Sequence, residues 1–284
     1  MTPAAFPRPL VSTAWLHEHL GESDLVVLDG SWYLPSAGRD PRAEFAQGHI
    51  PGALFWDLDR NSAADTTLPH MLPSADELAR IIGGLGIGAA TRVVVYDDSG
   101  ANLSAPRVWW TLRVAGHEEV AVLDGGMAAW RAEGRPVEAQ PTTPVPSRFR
   151  VRFRPELVAS REAVLARLAD PHPQLLDARS AGRFLGTEPE PRPGLRGGHI
   201  PGARNLPFGA VTGADGRLLP VDELRRRFLD AGVDLERDVI ASCGSGVSAC
   251  ALGLGLEVLG HRRWAIYDGS WADWGREDGP PVAR

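Results

Sequence analysis

Lysine is absent, so all 30 basic side chains counted as Lys or Arg in the 284-residue chain are arginine. That excludes chemistry needing a side-chain amine: Schiff-base aldol reactions, pyridoxal-dependent catalysis and the lysine of a phosphate-binding P-loop. Cysteine is scarce. Two residues, Cys243 and Cys250, cannot build a disulfide framework or a multi-cysteine metal site, and that usage points to a reducing compartment, the cytoplasm. The opening MTPAAFPRPLVS has no charged segment followed by an apolar core and a small-residue cleavage site, so no secretory signal is read in it. A long, strongly apolar run is also missing. The nearest approach, Val239 to Leu256, spans 18 residues without a charge, but Cys243-Gly244-Ser245-Gly246 interrupts it. A buried strand, a tight loop and a buried helix account for it better than a membrane span. With 36 acids the net charge is −6, which argues against a general nucleic-acid binder. Neither nucleic acid nor membrane is an expected partner.

What the chain does contain is itself, twice. His49-Ile50-Pro51-Gly52-Ala53 recurs as His199-Ile200-Pro201-Gly202-Ala203, an offset of 150 residues. Leu25-Val26-Val27-Leu28-Asp29 matches Gln174-Leu175-Leu176-Asp177 at an offset of 148, and Arg92 to Asp97 matches Asp238 to Cys243 at 146. Gly116-His117, Asp124-Gly125 and Trp130 return as Gly260-His261, Asp268-Gly269 and Trp274, an offset of 144. So small a drift indicates one unit of about 140 residues, duplicated with minor loop changes.

The junction is rich in proline, with five between Pro136 and Pro155. We expect a first domain over residues 1–140, an extended linker over 141–155 and a second domain over 156–284. Inside the junction, Arg148 to Arg154 alternates arginine with Phe149, Val151 and Phe153, which reads as an extended segment packing those three side chains on a domain. In the second half, helices are expected after Ser160, around Asp222 to Ala231 and after Gly246. Strands are expected at Leu175-Leu176, Val239 to Ser242 and Trp264 to Tyr267. Strands alternating with helices predict an α/β fold: two tandem domains, each a mostly parallel sheet with helices on both faces. Sites in such sheets lie at the carboxyl ends of strands, which directs attention to the residues just after Ser242.

Cys243 stands where a buried strand stops, ahead of Gly244-Ser245-Gly246-Val247-Ser248-Ala249 and then a helix. The glycines let successive N–H groups turn inward, a nest continued by the helix N-terminus, and a thiolate there is stabilised as a nucleophile. Cys250, inside the helix, reads as a small buried hydrophobe. Other chemistries fit less well. Gly244-x-Gly246-x-x-Ala249 matches a dinucleotide fingerprint, with Asp268 as its acid, but that fingerprint normally opens a nucleotide domain. A cysteine phosphatase loop needs Arg where Ala249 stands, and a serine-hydrolase elbow needs Gly where Cys243 and Val247 stand. In the first repeat the matching position is Asp97, so one copy carries a nucleophile and the other does not.

On these residues the chain resembles the tandem rhodanese family of sulfurtransferases over nearly its full length. The loop is similar to that of members using 3-mercaptopyruvate, whose pattern ends Val-Thr-Ala; Ser248 keeps the hydroxyl. Members preferring thiosulfate usually carry basic residues just after the Cys, where this chain has Gly244-Ser245. Asp177-Ala178-Arg179, Gly182-Arg183-Phe184 and Gly186 to Arg192 resemble the family's mercaptopyruvate-binding segment. The resemblance implies that Arg183 and Arg192 hold the donor's carboxylate and keto oxygen, a pairing suited to guanidinium forks. Charge agrees: residues 1–145 carry 10 Arg and 18 acids, residues 146–284 carry 20 Arg and 18 acids.

Asp57-Leu58-Asp59 and His70-Met71-Leu72-Pro73 resemble a segment that reaches across the domain cleft in the family, which places Asp59 and His70 near Ser245 to move a proton. His49 and His199 recur in both repeats and read as structural, and Trp109, Trp110, Trp130 and Trp274 as core. The implied cycle passes sulfur from 3-mercaptopyruvate to Cys243, cradled by the N–H groups of residues 244 to 249, and then to a thiol such as thioredoxin, a small thiol or cyanide. It needs no metal or organic cofactor. A thiosulfate sulfurtransferase with the same nucleophile is the alternative, and a non-catalytic persulfide-binding module a more distant one.

Overall fold

The computed structural model describes residues 6–170 and 172–284. Residues 1–5, where the stretch read for a secretory signal begins, lie outside the described residues. The chain forms two compact units. One comprises the residues up to Asn61 with Pro73–Arg154 and Ala214–Arg217, and the other comprises Ser62–Leu72, Pro155–Gly213 and Leu218–Arg284. Each is thus completed by a short segment from the opposite half of the sequence.

The first unit runs β1 (Leu10–Val11), α1 (Thr13–His19), β2 (Leu25–Asp29), α2 (Pro41–Gln47), β3 (Leu54–Phe55), α3 (Ala75–Gly84), β4 (Arg92–Tyr96), α4 (Ala105–Val114), β5 (Val120–Leu123) and α5 (Gly126–Ala132). The second repeats the series as β6 (Val158–Ala159), α6 (Arg161–Arg167), β7 (Gln174–Asp177), α7 (Ala181–Leu185), β8 (Arg204–Asn205), α8 (Val221–Asp230), β9 (Val239–Ser242), α9 (Ala249–Val258), β10 (Trp264–Tyr267) and α10 (Ser270–Trp274). The sheets have the same strand order, β1-β5-β4-β2-β3 and β6-β10-β9-β7-β8. Every neighbouring pair is parallel. The charge-free stretch from Val239 resolves into β9, a loop and the buried helix α9. No helix among the described residues is long and apolar enough to cross a membrane.

Local chemistry repeats with the topology. Ser12 Oγ accepts from Trp15 N–H at 3.1 Å and Ser160 Oγ from Ala163 N–H at 3.2 Å, capping α1 and α6. Valines fill β4, where β-branched side chains suit a buried strand. Trp130 and Trp274 are fully buried, each donating its indole N–H to a proline carbonyl at 2.8 Å. Truncating a tryptophan so packed typically costs about 3–5 kcal/mol. The recurring histidines are structural. His49 stacks on Phe45 and bonds its carbonyl through Nδ1 at 2.8 Å, and His199 does the same with Phe184 at 2.9 Å.

The proline-rich junction lies along the first unit. Ser147 N–H donates to Gly83 O at 2.8 Å, and the N–H groups of Arg152 and Arg154 donate to Ala115 O and Val114 O at 2.9 Å. Phe149 packs there, 9% exposed and edge-on to His117, and Val151 is half-buried. Phe153 departs from the expectation: it is 48% exposed. Its two neighbours tie the backbone to the end of α4, and its own side chain is left in solvent.

Candidate active site

Strand β9 ends at Ser242 and delivers Cys243, 2% exposed and not disulfide-bonded, to the head of a six-residue loop before α9. Gly246 takes φ of +74°, a turn that a side chain would strain. The loop is stapled from behind by the start of α10. Ser270 Oγ accepts from the N–H groups of Cys243 and Gly246, both at 3.1 Å, and donates to Tyr267 O at 2.7 Å. Trp271 N–H donates to Cys243 O at 2.9 Å and Ala272 N–H to Gly244 O at 2.8 Å. Cys250 is buried in α9, its thiol donating to Gly246 O at 3.2 Å.

These bonds leave part of the loop open. Of the N–H groups expected to form a cradle, that of Gly246 is committed to Ser270. Those of Ser245, Val247, Ser248 and Ala249 find no acceptor among the described residues. Ser245, Val247 and Ala249 are buried and Ser248 half-buried, and buried N–H groups are rarely left without a partner. Such a run of donors without acceptors, continuing into a helix N-terminus, fits an anion.

Two further groups reach this loop. The segment Ser62–Leu72 packs in the second unit. It is pinned by Leu72 N–H donating to the Asp268 carboxylate at 2.8 Å. It carries His70, 5% exposed, with Nδ1 2.9 Å from Ser245 Oγ. The second is Arg183, on α7. A Cβ added to Gly244 would lie 3.0 Å from Nη2 of Arg183, so any larger residue at 244 would push the guanidinium aside.

Arg183 belongs to a charge chain. Its Nε and Nη2 donate to the two carboxylate oxygens of Glu190 at 3.2 and 2.6 Å. Glu190 also accepts from Nη1 of Arg179 at 2.8 Å, and Arg179 grips Asp177 through Nε and Nη2. Fully buried, Arg179 lies 4.1 Å over the Trp271 ring and donates to Gly198 O at 2.8 Å. Burial alone would lower its pKa, but the Asp177 and Glu190 carboxylates more than offset that and hold the guanidinium above its ordinary value.

The residues singled out from the sequence therefore divide. Cys243, Gly244, Ser245, Gly246, Val247, Ser248, Ala249, His70 and Arg183 lie on or beside one loop. Arg192 is half-buried on a bend of the segment after α7, and Asp59 is an exposed turn residue of the first unit. Sequence reasoning gave Asp268 no role beyond the repeat and the disfavoured dinucleotide fingerprint, and gave none to Ser270, Arg179 or Glu190. The first two carried a signal, since Asp268-Gly269-Ser270 aligns with Asp124-Gly125-Gly126 and Ser270 is the member that changes. Arg179 and Glu190 stood inside quoted motifs, but their roles depend on contacts that no spacing encodes. Among the described residues no group of three or more His, Cys, Asp or Glu could hold a metal ion.

Comparison with known proteins agrees with the duplication. The family model for the rhodanese-like domain matches residues 12–133 and again 160–277. The 3-mercaptopyruvate sulfurtransferase of Homo sapiens is 44% identical over 272 residues, covering 94% of this chain and 92% of its own. The thiosulfate sulfurtransferase of Cricetulus griseus is also 44% identical, over 285 residues, covering 98% of this chain and 95% of its own. Among solved structures, SseA from Escherichia coli, described as a 3-mercaptopyruvate sulfotransferase, superposes with a TM-score of 0.85 at 36% identity, covering 93% of this chain and 98% of that one.

Proposed function

The chain belongs to the rhodanese-like family, with the domain present twice, and on that footing we propose that it moves the sulfur of 3-mercaptopyruvate through a Cys243 persulfide to a thiol or cyanide, releasing pyruvate. The observation that carries this reading is the open cradle after β9. In the segment that Cys243 opens, the N–H groups of Ser245, Val247, Ser248 and Ala249 have no acceptor among the described residues and are free to receive an anionic sulfur. Overall identity does not choose the donor, because relatives named for either donor stand at 44%. The loop favours the keto acid. Gly244-Ser245 places no cation after the nucleophile, while Arg183 offers a guanidinium beside Gly244.

In the first half-reaction the Cys243 thiolate attacks the donor's sulfur. The carbon–sulfur bond breaks with its electron pair on carbon, giving a Cys243 persulfide and the enolate of pyruvate. Arg183 and Arg192 stabilise the charge that gathers on the keto oxygen. The persulfide proton, passed along Ser245 and His70, then converts the enolate to pyruvate and leaves an anionic outer sulfur in the cradle. Asp59 joins this relay only on the resemblance of the segment that carries it. In the second half-reaction a thiol, from a thioredoxin-like protein or a small molecule, attacks the outer sulfur, and Cys243 leaves as thiolate. Neither Cys243 nor Cys250 is held in a disulfide, which supports a cytoplasmic setting for that exchange.

Intact mass spectrometry after incubation with 3-mercaptopyruvate alone, then with thiosulfate alone, tests the reading. A gain of one sulfur atom is expected with 3-mercaptopyruvate, reversed by added thiol and absent in Cys243→Ser; a faster gain with thiosulfate would reassign the donor. Replacing Arg183 or Arg192 by Met is expected to lower kcat with 3-mercaptopyruvate about a hundredfold. Charge appears on the keto oxygen only as the enolate forms. With thiosulfate the same variants should act through KM. An unchanged kcat with 3-mercaptopyruvate would remove the arginines from the chemical step.

A further inference from the structure

The charge chain beside the loop alternates: Asp177 negative, Arg179 positive, Glu190 negative, Arg183 positive. Its four side chains are 3%, 0%, 2% and 17% exposed, so salt and water screen them weakly. Together they carry no net charge. Arg183 therefore meets the loop as a cation already paired, with Glu190 bridging its Nε and Nη2. Its remaining nitrogen, Nη1, has no acceptor among the described residues and lies 3.9 Å from the position of a Cβ on Gly244.

We propose that Glu190 is a specificity-determining residue, making the Cys243 loop prefer a monoanionic sulfur donor to a dianionic one. The proposal rests on the sulfurtransferase reading above and goes beyond it by naming what selects the donor. An unpaired Arg183 would attract a dianion about twice as strongly as a monoanion at the same distance, because Coulomb attraction scales with ligand charge. Glu190 opposes each of those charges and so subtracts more from the dianion. What Arg183 keeps is direction: a guanidinium fixed by its partner, with one nitrogen left for a single planar carboxylate or keto oxygen. 3-Mercaptopyruvate carries one negative charge at neutral pH and thiosulfate carries two.

Two variants and two readouts test this. Glu190→Gln keeps the side-chain shape and removes the charge, whereas Glu190→Asp keeps the charge and shortens the reach. The first readout is the ratio of kcat/KM for thiosulfate to that for 3-mercaptopyruvate. The second needs no turnover: the concentrations of sulfate, a dianion, and pyruvate, a monoanion, that half-protect Cys243 from alkylation by iodoacetamide. Glu190→Gln is expected to move both ratios toward the dianion by about tenfold or more. Glu190→Asp is expected to leave them within about threefold of the parent while weakening both ligands. If Glu190→Gln weakens both donors and both anions in equal proportion, Glu190 is merely structural and the proposal falls. Unchanged ratios overturn it too, as does a loop that neither sulfate nor pyruvate protects. A parent protein inert to both donors would overturn the sulfurtransferase reading instead, and the protection ratios would still decide the role of Glu190.

Discussion

The loops after β4 and β9 occupy the same place in two copies of one fold, and their N–H groups are used in opposite ways. In the first unit Asp97 turns its carboxylate back into the loop. It accepts from the N–H groups of Ser99, Ser104 and Ala105 at 2.9, 2.9 and 2.7 Å, and from the Ser99 hydroxyl. The corresponding N–H groups of Ser245, Ser248 and Ala249 have no acceptor among the described residues. One copy thus fills its cradle permanently with a side chain. The other carries Cys243 in that position and leaves those donors without an acceptor among the described residues. The flanking residues have diverged to match. Asp29 and Asp177 each accept the N–H two residues on, but the donor is Ser31 in one and Arg179 in the other. The residue before the histidine-stacked phenylalanine is Glu44 in the first unit and Arg183 in the second.

If the difference lies in the surroundings and not only in the nucleophile, transplanting the thiol will fail. Asp97→Cys in a Cys243→Ser background is expected to form persulfide from 3-mercaptopyruvate at least about a thousandfold more slowly than the parent. A mass gain within tenfold of the parental rate would break the comparison. A smaller effect concerns stability. Asp97→Ala strands three N–H groups, two of them buried, and is expected to cost about 3 kcal/mol in urea unfolding, whereas Cys243→Ala removes only a small buried group and is expected to cost about 1 kcal/mol. Equal losses would mean that the Asp97 bonds hold nothing that the second loop lacks.

The smallest effect is one of pH. Burial pushes the Asp29 carboxyl up to about 6, despite the bonds from Ser31 and Tyr96 that favour its charged form. A group held above its unfolded value of 3.8 contributes stability that is complete below pH 4 and is lost as pH rises through about 6. Relative to Asp29→Asn, the parent is therefore expected to lose about 2–3 kcal/mol of unfolding free energy between pH 4 and pH 7. Parallel stability profiles for the two proteins would show that Asp29 titrates normally in the folded state.

Much of this contrast was legible in the chain. The offsets of 150 to 144 residues identified the duplication, and the strands at Val239–Ser242 and Trp264–Tyr267 lie where the apolar runs place them. The place of Cys243 just after a strand, the burial of Cys250 in a helix and the matching contacts of the paired histidines could be read from position alone, because strand ends, helix interiors and repeats are local features. Phe153 misled because alternation describes which residues share a face and says nothing of whether that face is covered. His70 was named only through family resemblance. Its contact with Ser245 joins residues 175 apart, and Leu72 with Asp268 joins residues 196 apart. No periodicity spans such distances.

By itself, then, the sequence determined the alternation of strand and helix, the doubling of the unit and the single thiol at a strand end. Hydrophobic period, capping and chain stiffness act over a few residues, and each element carries its own instructions. Only the tertiary structure decided which charges cancel, which N–H groups stay open and which histidine faces which hydroxyl. Those outcomes depend on the distance and burial between groups far apart in the chain. The same arginine is a solvated cation, a structural strut or an anion clamp according to what the fold sets against it.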